Sequence, residues 1–253
     1  MEETVNREEL ERRSEEMAAW RPAEILSWAV ERFPRIGFAT GFGVEGCVLI
    51  DVISRARLPI DLFTLDTGLL FPETYALWLR LEERYGVTVR ALLPERSVAE
   101  QARDFGDSLW DREPERCCEM RKVAPLRRAL AGLGAWVTAI RREQTRERSG
   151  VRILEWDDRF GLAKVNPLAH WTAPDVWRYV RENDVPFNPL HERGYPSIGC
   201  VPCTSAVLPG EEPRAGRWRG REKKECGIHV AIERPVLLRK RNADEERSGI
   251  HAR

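Results

Sequence analysis

The sequence lacks an excess of charge of either sign. Its 253 residues include 41 Lys and Arg against 41 Asp and Glu, so the formal net charge is zero. Domains that bind nucleic acid are usually strongly basic, and we therefore expect no nucleic-acid partner. Lysine is scarce among the cations and occurs only at positions 122, 164, 223, 224 and 240.

Long apolar runs are also missing. A membrane-spanning helix needs roughly 18 or more consecutive apolar residues, and no stretch of this sequence approaches that length. The first residues, MEETVNREELERRSEEM, are charged throughout and contain neither the apolar centre nor the cleavage site of a signal peptide. These features predict a cytoplasmic protein that makes no membrane contact.

Hydrophobic periodicity predicts an α/β fold with a mainly parallel sheet and flanking helices. Strand-like runs cover 36–40, 60–65, 87–89 and 136–140. Helical patterns cover 6–32, the apolar stretch that begins near Val48, 72–85, and part of 165–181, where a helix should open near Thr172. Strands that alternate with helices in this way favour a parallel sheet with crossover helices.

Composition divides the chain into three parts. Residues 1–208 carry the alternating pattern and are predicted to form one nucleotide- and cluster-binding α/β domain. Residues 209–230 have little apolar periodicity, which predicts a flexible, mobile C-terminal tail. Residues 231–253 are rich in charge and are expected to form a disordered extension.

Polar turns follow the first two predicted strands. Glycines let backbone N–H groups converge near a helix N-terminus, so the first turn suits a phosphate or sulfate. Ligands of open α/β sheets bind at the carboxyl ends of strands, and two neighbouring turns favour a nucleotide. Either turn alone is equally typical of an ordinary tight connection. The candidate binding residues are Thr40, Gly41, Phe42, Gly43, Leu65, Asp66 and Thr67.

Four of the six cysteines occur in two close pairs, Cys117 with Cys118 and Cys200 with Cys203. Four thiolates complete a ligand set for zinc or for an iron–sulfur cluster. Adjacent cysteines fit a cluster of several iron atoms better, because each thiolate can bind a separate corner. Four unrelated buried thiols, or a redox-active dithiol in the C-x-x-C segment, are the alternatives.

The remaining two cysteines differ in their surroundings. Cys226 lies in the polar tail between two lysines and His229, where nearby cations can favour the nucleophilic thiolate. An incidental exposed cysteine is the alternative. Cys47 follows the first turn on an apolar helical face, which indicates a small buried hydrophobic residue.

Basic residues flank the predicted anion site. Each alone is typical of a solvated surface, but together they suit a substrate with two anionic groups. The set comprises Lys122, Arg141, Arg142, Arg214 and Arg217.

These motifs, in this order, resemble those of the assimilatory adenylyl-sulfate reductases of the sulfonucleotide reductase family. The matching segments lie roughly between residues 36 and 229 and are TGFGVEG, LDTGLLFPET, CCEMRKVAPL, AIRREQTRERSG, HERGYPSIGCVPCT, RAGRW and KECGIH. The resemblance implies an adenine-nucleotide-hydrolase-like fold related to PP-loop ATP pyrophosphatases. It further implies a [4Fe–4S] cluster on Cys117, Cys118, Cys200 and Cys203.

The same resemblance implies a reaction. Cys226 would attack adenosine 5′-phosphosulfate, expel AMP and carry an S-sulfocysteine intermediate, which thioredoxin or a similar dithiol donor would reduce with release of sulfite. The five basic residues and the two turns would bind the substrate, and a homo-oligomer is compatible with the family. One departure is Gly46, which stands where many relatives carry an acidic residue.

Three other functions remain open at the level of sequence. One is a reductase of 3′-phosphoadenosine 5′-phosphosulfate, or of both nucleotides, although reductases restricted to that substrate usually lack the two cysteine pairs. Another is a PP-loop ATP pyrophosphatase, against which the weak match of TGFGVEG to an S-G-G-x-D-S loop argues. The last is a zinc-stabilised nucleotide-binding module without catalysis.

Overall fold

A six-stranded sheet forms the centre of the protein in the computed structural model, which describes residues 6–229. The strand order is β3-β2-β1-β4-β6-β5, and all neighbours are parallel except the antiparallel pair β5 and β6. The mainly parallel α/β fold that the sequence predicts is therefore confirmed. The strands are β1 (Ile36–Thr40), β2 (Ile60–Leu65), β3 (Arg90–Leu92), β4 (Ala135–Val137), β5 (Leu154–Asp157) and β6 (Leu162–Val165).

Helices flank this sheet and connect its strands. They are α1 (Arg7–Glu16), α2 (Pro22–Arg32), α3 (Val44–Arg55), α4 (Pro72–Tyr85), α5 (Val98–Phe105), α6 (Leu109–Arg112), α7 (Pro114–Cys118), α8 (Ala124–Leu130) and α9 (Ala173–Asn183). A short π-helical segment, Glu119–Val123, joins α7 to α8. No helix within residues 6–229 is long and apolar enough to cross a membrane.

Local sequence explains where several helices begin and end. Pro22 and Pro72 occupy the first turns of α2 and α4, where a missing N–H costs nothing. Thr172 caps α9 by accepting a hydrogen bond from the backbone N–H of Asp175, as the predicted opening of this helix requires. Helix α4 ends at Gly86, whose φ of +62° is readily adopted by glycine.

Both faces of the sheet are buried. On one face, Phe38 belongs to a large apolar cluster with residues of α2, α3 and α9. On the other, Phe63, Leu126 and Trp136 form a smaller cluster under α8. Burial on both faces explains why these strands read as nearly continuous apolar runs.

Two strand predictions need correction. The third strand occupies Arg90–Leu92 rather than 87–89, because the backbone N–H of Val89 donates to the carboxylate of Glu82 (2.7 Å) and not to a neighbouring strand. The fourth ends at Val137, after which Thr138 donates its hydroxyl to Asn166 (2.5 Å). Strands β5 and β6 form a hairpin that the periodicity did not predict.

The strand order defines where a ligand can bind. Strand β1 lies in the middle, with β2 and β3 on one side and β4, β6 and β5 on the other. The order of strands in the sheet therefore reverses at β1. At such a switch point the connections diverge and leave a crevice outside the carboxyl ends of the strands. The crevice lies beyond Thr40 and Val137.

The described part of the tail contains neither helix nor strand and packs against the α/β domain. It is held by an isolated bridge between Thr204 and Arg217 and by an ion pair between Arg148 and Glu225. Its irregular backbone agrees with the sequence pattern, while its mobility stays a prediction. The predicted disordered extension over 231–253 lies outside the described residues.

Candidate functional site: a strand-end crevice beside a tail thiol

Two adjoining cavities lie at the carboxyl ends of the strands. The larger has a volume of about 440 Å³ and is bounded by the turns that follow β1 and β4. The smaller, of about 190 Å³, is bounded by the ends of β1 and β2 and by the tail. The two share walls at Gly41, Arg148, Arg214, Arg217 and His229. Together they form the crevice that the topology predicts.

The turn after β1 is shaped to leave room in this crevice. A Cβ atom on Gly41 would meet no protein atom within 4 Å, and one on Gly43 would meet only a Glu45 oxygen at 3.7 Å. Thr40 accepts a hydrogen bond from the backbone N–H of Phe42 (3.1 Å), which stabilises the turn. The N-terminus of α3 follows at Val44, where its free N–H groups favour an anion.

The residues of the turn after β2 have two different roles: some line the cavity and one stabilises the turn. Leu65 and Thr67 line the smaller cavity. Asp66 instead stabilises the turn, because its carboxylate accepts hydrogen bonds from the Gly68 backbone N–H (2.9 Å) and the Tyr75 hydroxyl (2.6 Å). Burial, followed by the hydrogen bond and charge of Asp66, raises the pKa of Tyr75 to about 12.

The two cysteine pairs meet in space. Cys117 and Cys118 end α7. Later in the chain, Cys200 precedes a short 3₁₀ turn (Val201–Cys203) and Cys203 ends it, and all four thiols line one small cavity. Soft thiolates of this kind bind iron–sulfur clusters or zinc. Within residues 6–229, no three His, Cys, Asp or Glu side chains converge on a single ion position. A cluster binds each thiolate at a separate iron atom, so its ligands need not converge in this way.

Polar and cationic groups surround these thiols. The hydroxyl of Thr67 lies 3.3 Å from the Cys200 sulfur, and the Gln101 amide donates to the Cys117 sulfur (3.9 Å). Arg121, only 3% exposed, connects the two by donating to the Thr67 carbonyl (2.6 Å) and to Gln101 (3.1 Å). Hydrogen bonds and positive charge next to the sulfurs are the surroundings that a negatively charged thiolate cluster requires.

Lys122 connects the cysteine cavity to the crevice. It lines both the small cysteine cavity and the 190 Å³ cavity. Burial opposes its charge, but the neighbouring thiols Cys200, Cys118 and Cys226 outweigh burial and raise the pKa of Lys122. The ammonium therefore stays protonated between the four thiols and the crevice.

The tail brings Cys226 to the same cavity. The thiol is partly exposed and shares the 190 Å³ cavity with Lys122, Cys200, Arg214 and Arg217. Burial lowers the pKa of Arg214 to about 10, although the Glu225 carboxylate acts in the opposite direction, and at neutral pH this side chain remains a cation. A thiol, three cations and a strand-end turn thus face one another.

The structure separates the five predicted basic residues. Lys122, Arg214 and Arg217 line the smaller cavity, whereas Arg141 lines the larger one and pairs with the carboxylates of Glu45 (2.9 Å) and Glu143. Arg142 donates to the carbonyl of Val151 (2.6 Å). The predicted residues that are not among those lining either cavity are Phe42, Asp66 and Arg142.

Sequence reasoning missed three residues of the site. Arg148 and His229 line both cavities, and Glu225 forms a buried ion pair with Arg148. Burial and the surrounding charges, first that of Arg148, hold the pKa of His229 well below its ordinary value, so its imidazole is neutral. The available signals were weak: Glu225 and His229 flank Cys226 in sequence, and Arg148 lies in a basic segment.

This arrangement defines the class of the protein. It is an α/β protein whose strand-end crevice, formed at a topological switch point, suits an adenine-nucleotide-like anion. A tail thiol and three cations close one end of the crevice, and four further thiols lie directly behind Lys122.

Comparison with known proteins identifies the family. Residues 35–206 match the phosphoadenosine phosphosulfate reductase domain family, and the chain belongs to that family. Adenosine 5′-phosphosulfate reductase 1 of Bacillus subtilis (strain 168) is 46% identical over 207 residues, which cover 81% of this chain and 89% of that protein. The adenosine 5′-phosphosulfate reductase of Geobacillus thermodenitrificans (strain NG80-2) is 47% identical over 82% of this chain and 89% of its own length.

Solved structures agree with this assignment. The phosphoadenylyl-sulfate reductase of Candida auris in a phosphate complex superposes with a TM-score of 0.72 at 34% identity, covering 81% of this chain and 98% of that chain. The FMN adenylyltransferase of Candida glabrata, with FMN and an ATP analogue, has a TM-score of 0.54 at 12% identity and covers 79% and 66% of the two chains. The second likeness concerns the fold alone.

Proposed function

We propose that this protein reduces adenosine 5′-phosphosulfate to sulfite and AMP, with thioredoxin or a similar dithiol as electron donor. The observation that carries the proposal is the position of Cys226, which opens into the cavity lined by Lys122, Arg214 and Arg217. A thiol that shares an anion pocket with the end of a nucleotide crevice can attack the terminal group of a bound nucleotide. The substrate in this proposal is supported by relatives at 46–47% identity that bear the name adenosine 5′-phosphosulfate reductase.

The crevice offers a place for each part of this substrate. The adenosine half fits the 440 Å³ cavity between the turns after β1 and β4. The sulfate half then faces the 190 Å³ cavity, where Lys122, Arg214 and Arg217 offset its charge and that of the adjacent phosphate. Charge neutralisation and alignment are the main requirements, because AMP is already a fair leaving group.

The first chemical step transfers the sulfonate group to the protein. The Cys226 thiolate attacks the sulfur of adenosine 5′-phosphosulfate, an S–S bond forms, and the S–O bond to phosphate breaks. The electron pair of that bond leaves with AMP, whose phosphate gains negative charge beside the three cations. The product on the protein is S-sulfocysteine at Cys226.

The second step regenerates the thiol by exchange. A thioredoxin thiolate attacks the Cys226 sulfur and releases sulfite, which takes the electron pair of the S–S bond. The second thiol of the donor then resolves the mixed disulfide, so the donor leaves oxidised and Cys226 returns as a thiolate. Both electrons come from the dithiol.

The four thiols behind Lys122 fit a [4Fe–4S] cluster held by Cys117, Cys118, Cys200 and Cys203. When bound, the cluster supplies a compact negative charge and a redox-active group next to the Lys122 ammonium. The residues of this chain do the rest: Lys122 keeps its proton and directs its charge toward the crevice. The Thr67 hydroxyl lies 3.3 Å from the Cys200 sulfur, the Gln101 amide donates to the Cys117 sulfur, and Arg121 connects these two residues.

Replacement of Cys226 by serine separates the role of the nucleophile from that of the four proposed cluster ligands. We expect anaerobically purified protein to contain about four iron and four sulfide per chain and to release sulfite from adenosine 5′-phosphosulfate with reduced thioredoxin. Cys226→Ser should lower turnover by about 10³-fold or more with unchanged iron, because only the nucleophile is lost. Cys47→Ala is the matched control: burial raises the pKa of the Cys47 thiol, which is fully buried and lines neither cavity, and turnover should persist.

Three outcomes would contradict the proposal. Sulfite release by Cys226→Ser at the rate of the unmodified protein would show that Cys226 is not the nucleophile. Zinc in the purified protein, or a folded protein without metal, would show that the four cysteines do not hold an iron–sulfur cluster. Pyrophosphate release from ATP without sulfite formation would favour a PP-loop pyrophosphatase.

The second candidate substrate is 3′-phosphoadenosine 5′-phosphosulfate. It is supported by the name of the matching domain family and by the likeness to the Candida auris reductase. The four thiols that line one cavity favour the unphosphorylated nucleotide, since the resemblance ties them to adenylyl-sulfate reductases. Comparison of kcat/KM for the two nucleotides decides between them, and a higher value for the 3′-phosphorylated one would reverse the assignment.

A further inference from the structure

The residue before the tail thiol is anchored in a buried ion pair. The two carboxylate oxygens of Glu225 accept hydrogen bonds from Nε and Nη2 of Arg148, each at 2.8 Å. The side chains are only 6% and 7% exposed. A bidentate pair of this kind fixes direction as well as distance, so the backbone next to Cys226 is held in one place.

The residues after the thiol are anchored by a second arginine and by a ring contact. Arg159, from the turn between β5 and β6, donates to the carbonyl of Gly227 (2.7 Å) and to that of Ile228. The imidazole of His229 stacks on Trp136 with ring centroids 5.8 Å apart. Cys226 is therefore held from both sides.

Every guanidinium nitrogen of Arg148 already has a partner within the protein. The third nitrogen, Nη1, donates to Gln144 Oε1 (2.6 Å), so three of the five N–H groups are in use. Gln144 in turn donates to the carboxylate of Glu45 (3.0 Å) at the start of α3. A continuous set of contacts runs from Cys226 through Glu225, Arg148 and Gln144 to the turn after β1.

We propose that Arg148 is a positioning residue that seats the Cys226 thiol over the crevice by binding Glu225. Only the expected effect of Arg148 on turnover rests on the proposed function. The position of the tail does not depend on which reaction the protein catalyses. With Arg148 removed, Glu225 would lose its bidentate partner and keep only the longer contacts with Arg214 and Thr145, each at 3.5 Å, and the tail would swing out to hydrate the carboxylate. The thiol would then lie outside the crevice more often, where reagents reach it faster and substrate does not.

The experiment measures how accessible the Cys226 thiol is to a reagent and how fast the protein turns over. Arg148→Gln, Glu225→Gln and the double variant are compared with Arg146→Gln, a control that removes an exposed arginine from the same 3₁₀ turn. Holoprotein is alkylated with iodoacetamide without nucleotide, and the tryptic peptide containing Cys226 is quantified by mass spectrometry. Steady-state kinetics give kcat and KM for adenosine 5′-phosphosulfate, and iron content and Tm report the fold.

We expect both single variants to alkylate Cys226 several-fold faster and to lose about 10- to 100-fold in kcat, with a smaller change in KM, because alignment of the thiol is lost. The double variant should be no worse than the single variants, since they remove the same contact. Arg148→Lys should restore part of kcat, and Arg146→Gln should match the unmodified protein. Glu225→Gln keeps the shape of the side chain, so it tests the pair even where Arg148→Gln loses iron.

Two results would overturn the inference. Unchanged alkylation of Cys226 in both single variants would show that the ion pair does not seat the tail. A rise in KM for Arg148→Gln at constant kcat would show that Arg148 binds substrate. Because alkylation requires no turnover, failure of the proposed reaction and failure of the seating role are distinguishable.

Discussion

Phe42 carries the strained backbone conformation of the anion turn. Its φ is +55°, in the left-handed region that usually costs a non-glycine residue about 1 kcal/mol or more. The ring is 1% exposed and stacks on Trp78 at 5.5 Å, so burial of an aromatic side chain offsets the strain. Gly41 and Gly43, on either side, do not adopt the left-handed conformation, and their missing side chains leave open space where a ligand approaches.

Gly46, in the first turn of α3, is a position where a side chain is poorly tolerated. A Cβ there would lie 2.7 Å from the Thr40 hydroxyl, which is buried and accepts a hydrogen bond from the Phe42 N–H. We expect Gly46→Ala to lower the free energy of unfolding by about 1–3 kcal/mol, as overpacking does, and to weaken nucleotide binding. Urea denaturation and a nucleotide titration measure the two effects.

The matched control for this change is Gly150→Ala, since a Cβ at Gly150 would meet no atom within 4 Å. Equal unfolding midpoints for the two variants would contradict the steric argument. The glycine at position 46 thus has a local cause in this chain: the Thr40 hydroxyl occupies the space that a side chain would need.

At the scale of elements, the π-helical segment after α7 shapes the cysteine cavity. It follows Cys117 and Cys118 directly and contains Arg121 and Lys122, both of which line that cavity. Successive residues of an α-helix are separated by 100° and seldom face one site, whereas π-helical segments recur at functional sites because they re-aim side chains. In this way the adjacent cations Arg121 and Lys122 can both face the four thiols.

Helices α3, α4 and α9 are joined by one buried carboxylate. Asp51, fully buried on α3, accepts hydrogen bonds from the hydroxyls of Tyr85 on α4 (2.9 Å) and Tyr179 on α9 (2.7 Å), and pairs with Arg55 (2.8 Å). Burial and then the hydrogen bond to Asp51 raise the pKa of each tyrosine, so both hydroxyls remain donors. The helix that begins at the anion turn is therefore tied to two neighbours.

Asp51→Asn tests this connection. The amide can accept only at its oxygen and places donors against tyrosine hydroxyls, so we expect a loss of about 1–3 kcal/mol in the free energy of unfolding. Tyr85→Phe and Tyr179→Phe should each cost about 1 kcal/mol. Asp61→Asn, which breaks the half-exposed pair with Arg90 (2.6 Å), is the control and should cost less than about 1 kcal/mol. A larger loss at Asp61 than at Asp51 in urea denaturation would refute the account.

At the scale of the whole molecule, nucleotide binding and folding are linked. The crevice is formed by turns from separate parts of the chain together with the tail, and an unfolded chain does not retain it. AMP at a hundred times its Kd should therefore stabilise the protein by about 2.7 kcal/mol and raise Tm by roughly 5–10 °C. Differential scanning calorimetry of the holoprotein measures the shift.

Inorganic phosphate at the same concentration is the control for a general anion effect, and it should shift Tm far less because it leaves the 440 Å³ cavity empty. An equal shift with phosphate and with AMP would indicate that only the anion part of the crevice contributes. No shift with AMP in protein that retains its iron would contradict the assignment of the crevice to a nucleotide.

Several features followed from the sequence alone because they depend on neighbouring residues. The alternation of strands and helices, the proline and threonine that open α4 and α9, and the irregular backbone of the tail are all encoded within a few residues of one another. The cysteine pairs and the motif around Cys226 likewise gave the family before any contact was known.

Tertiary structure decided the features that need partners far apart in the chain. Glu225 meets Arg148 across 77 residues, and the short strands β5 and β6 are defined by pairing rather than by periodicity. Arg141 lines the larger cavity, and there the carboxylate of Glu45, 96 positions away, pairs with it, which the sequence pattern did not indicate. The physical reason is the same in each case: local patterns report backbone preference and burial, whereas the charge that a side chain finally faces depends on where the folded chain returns.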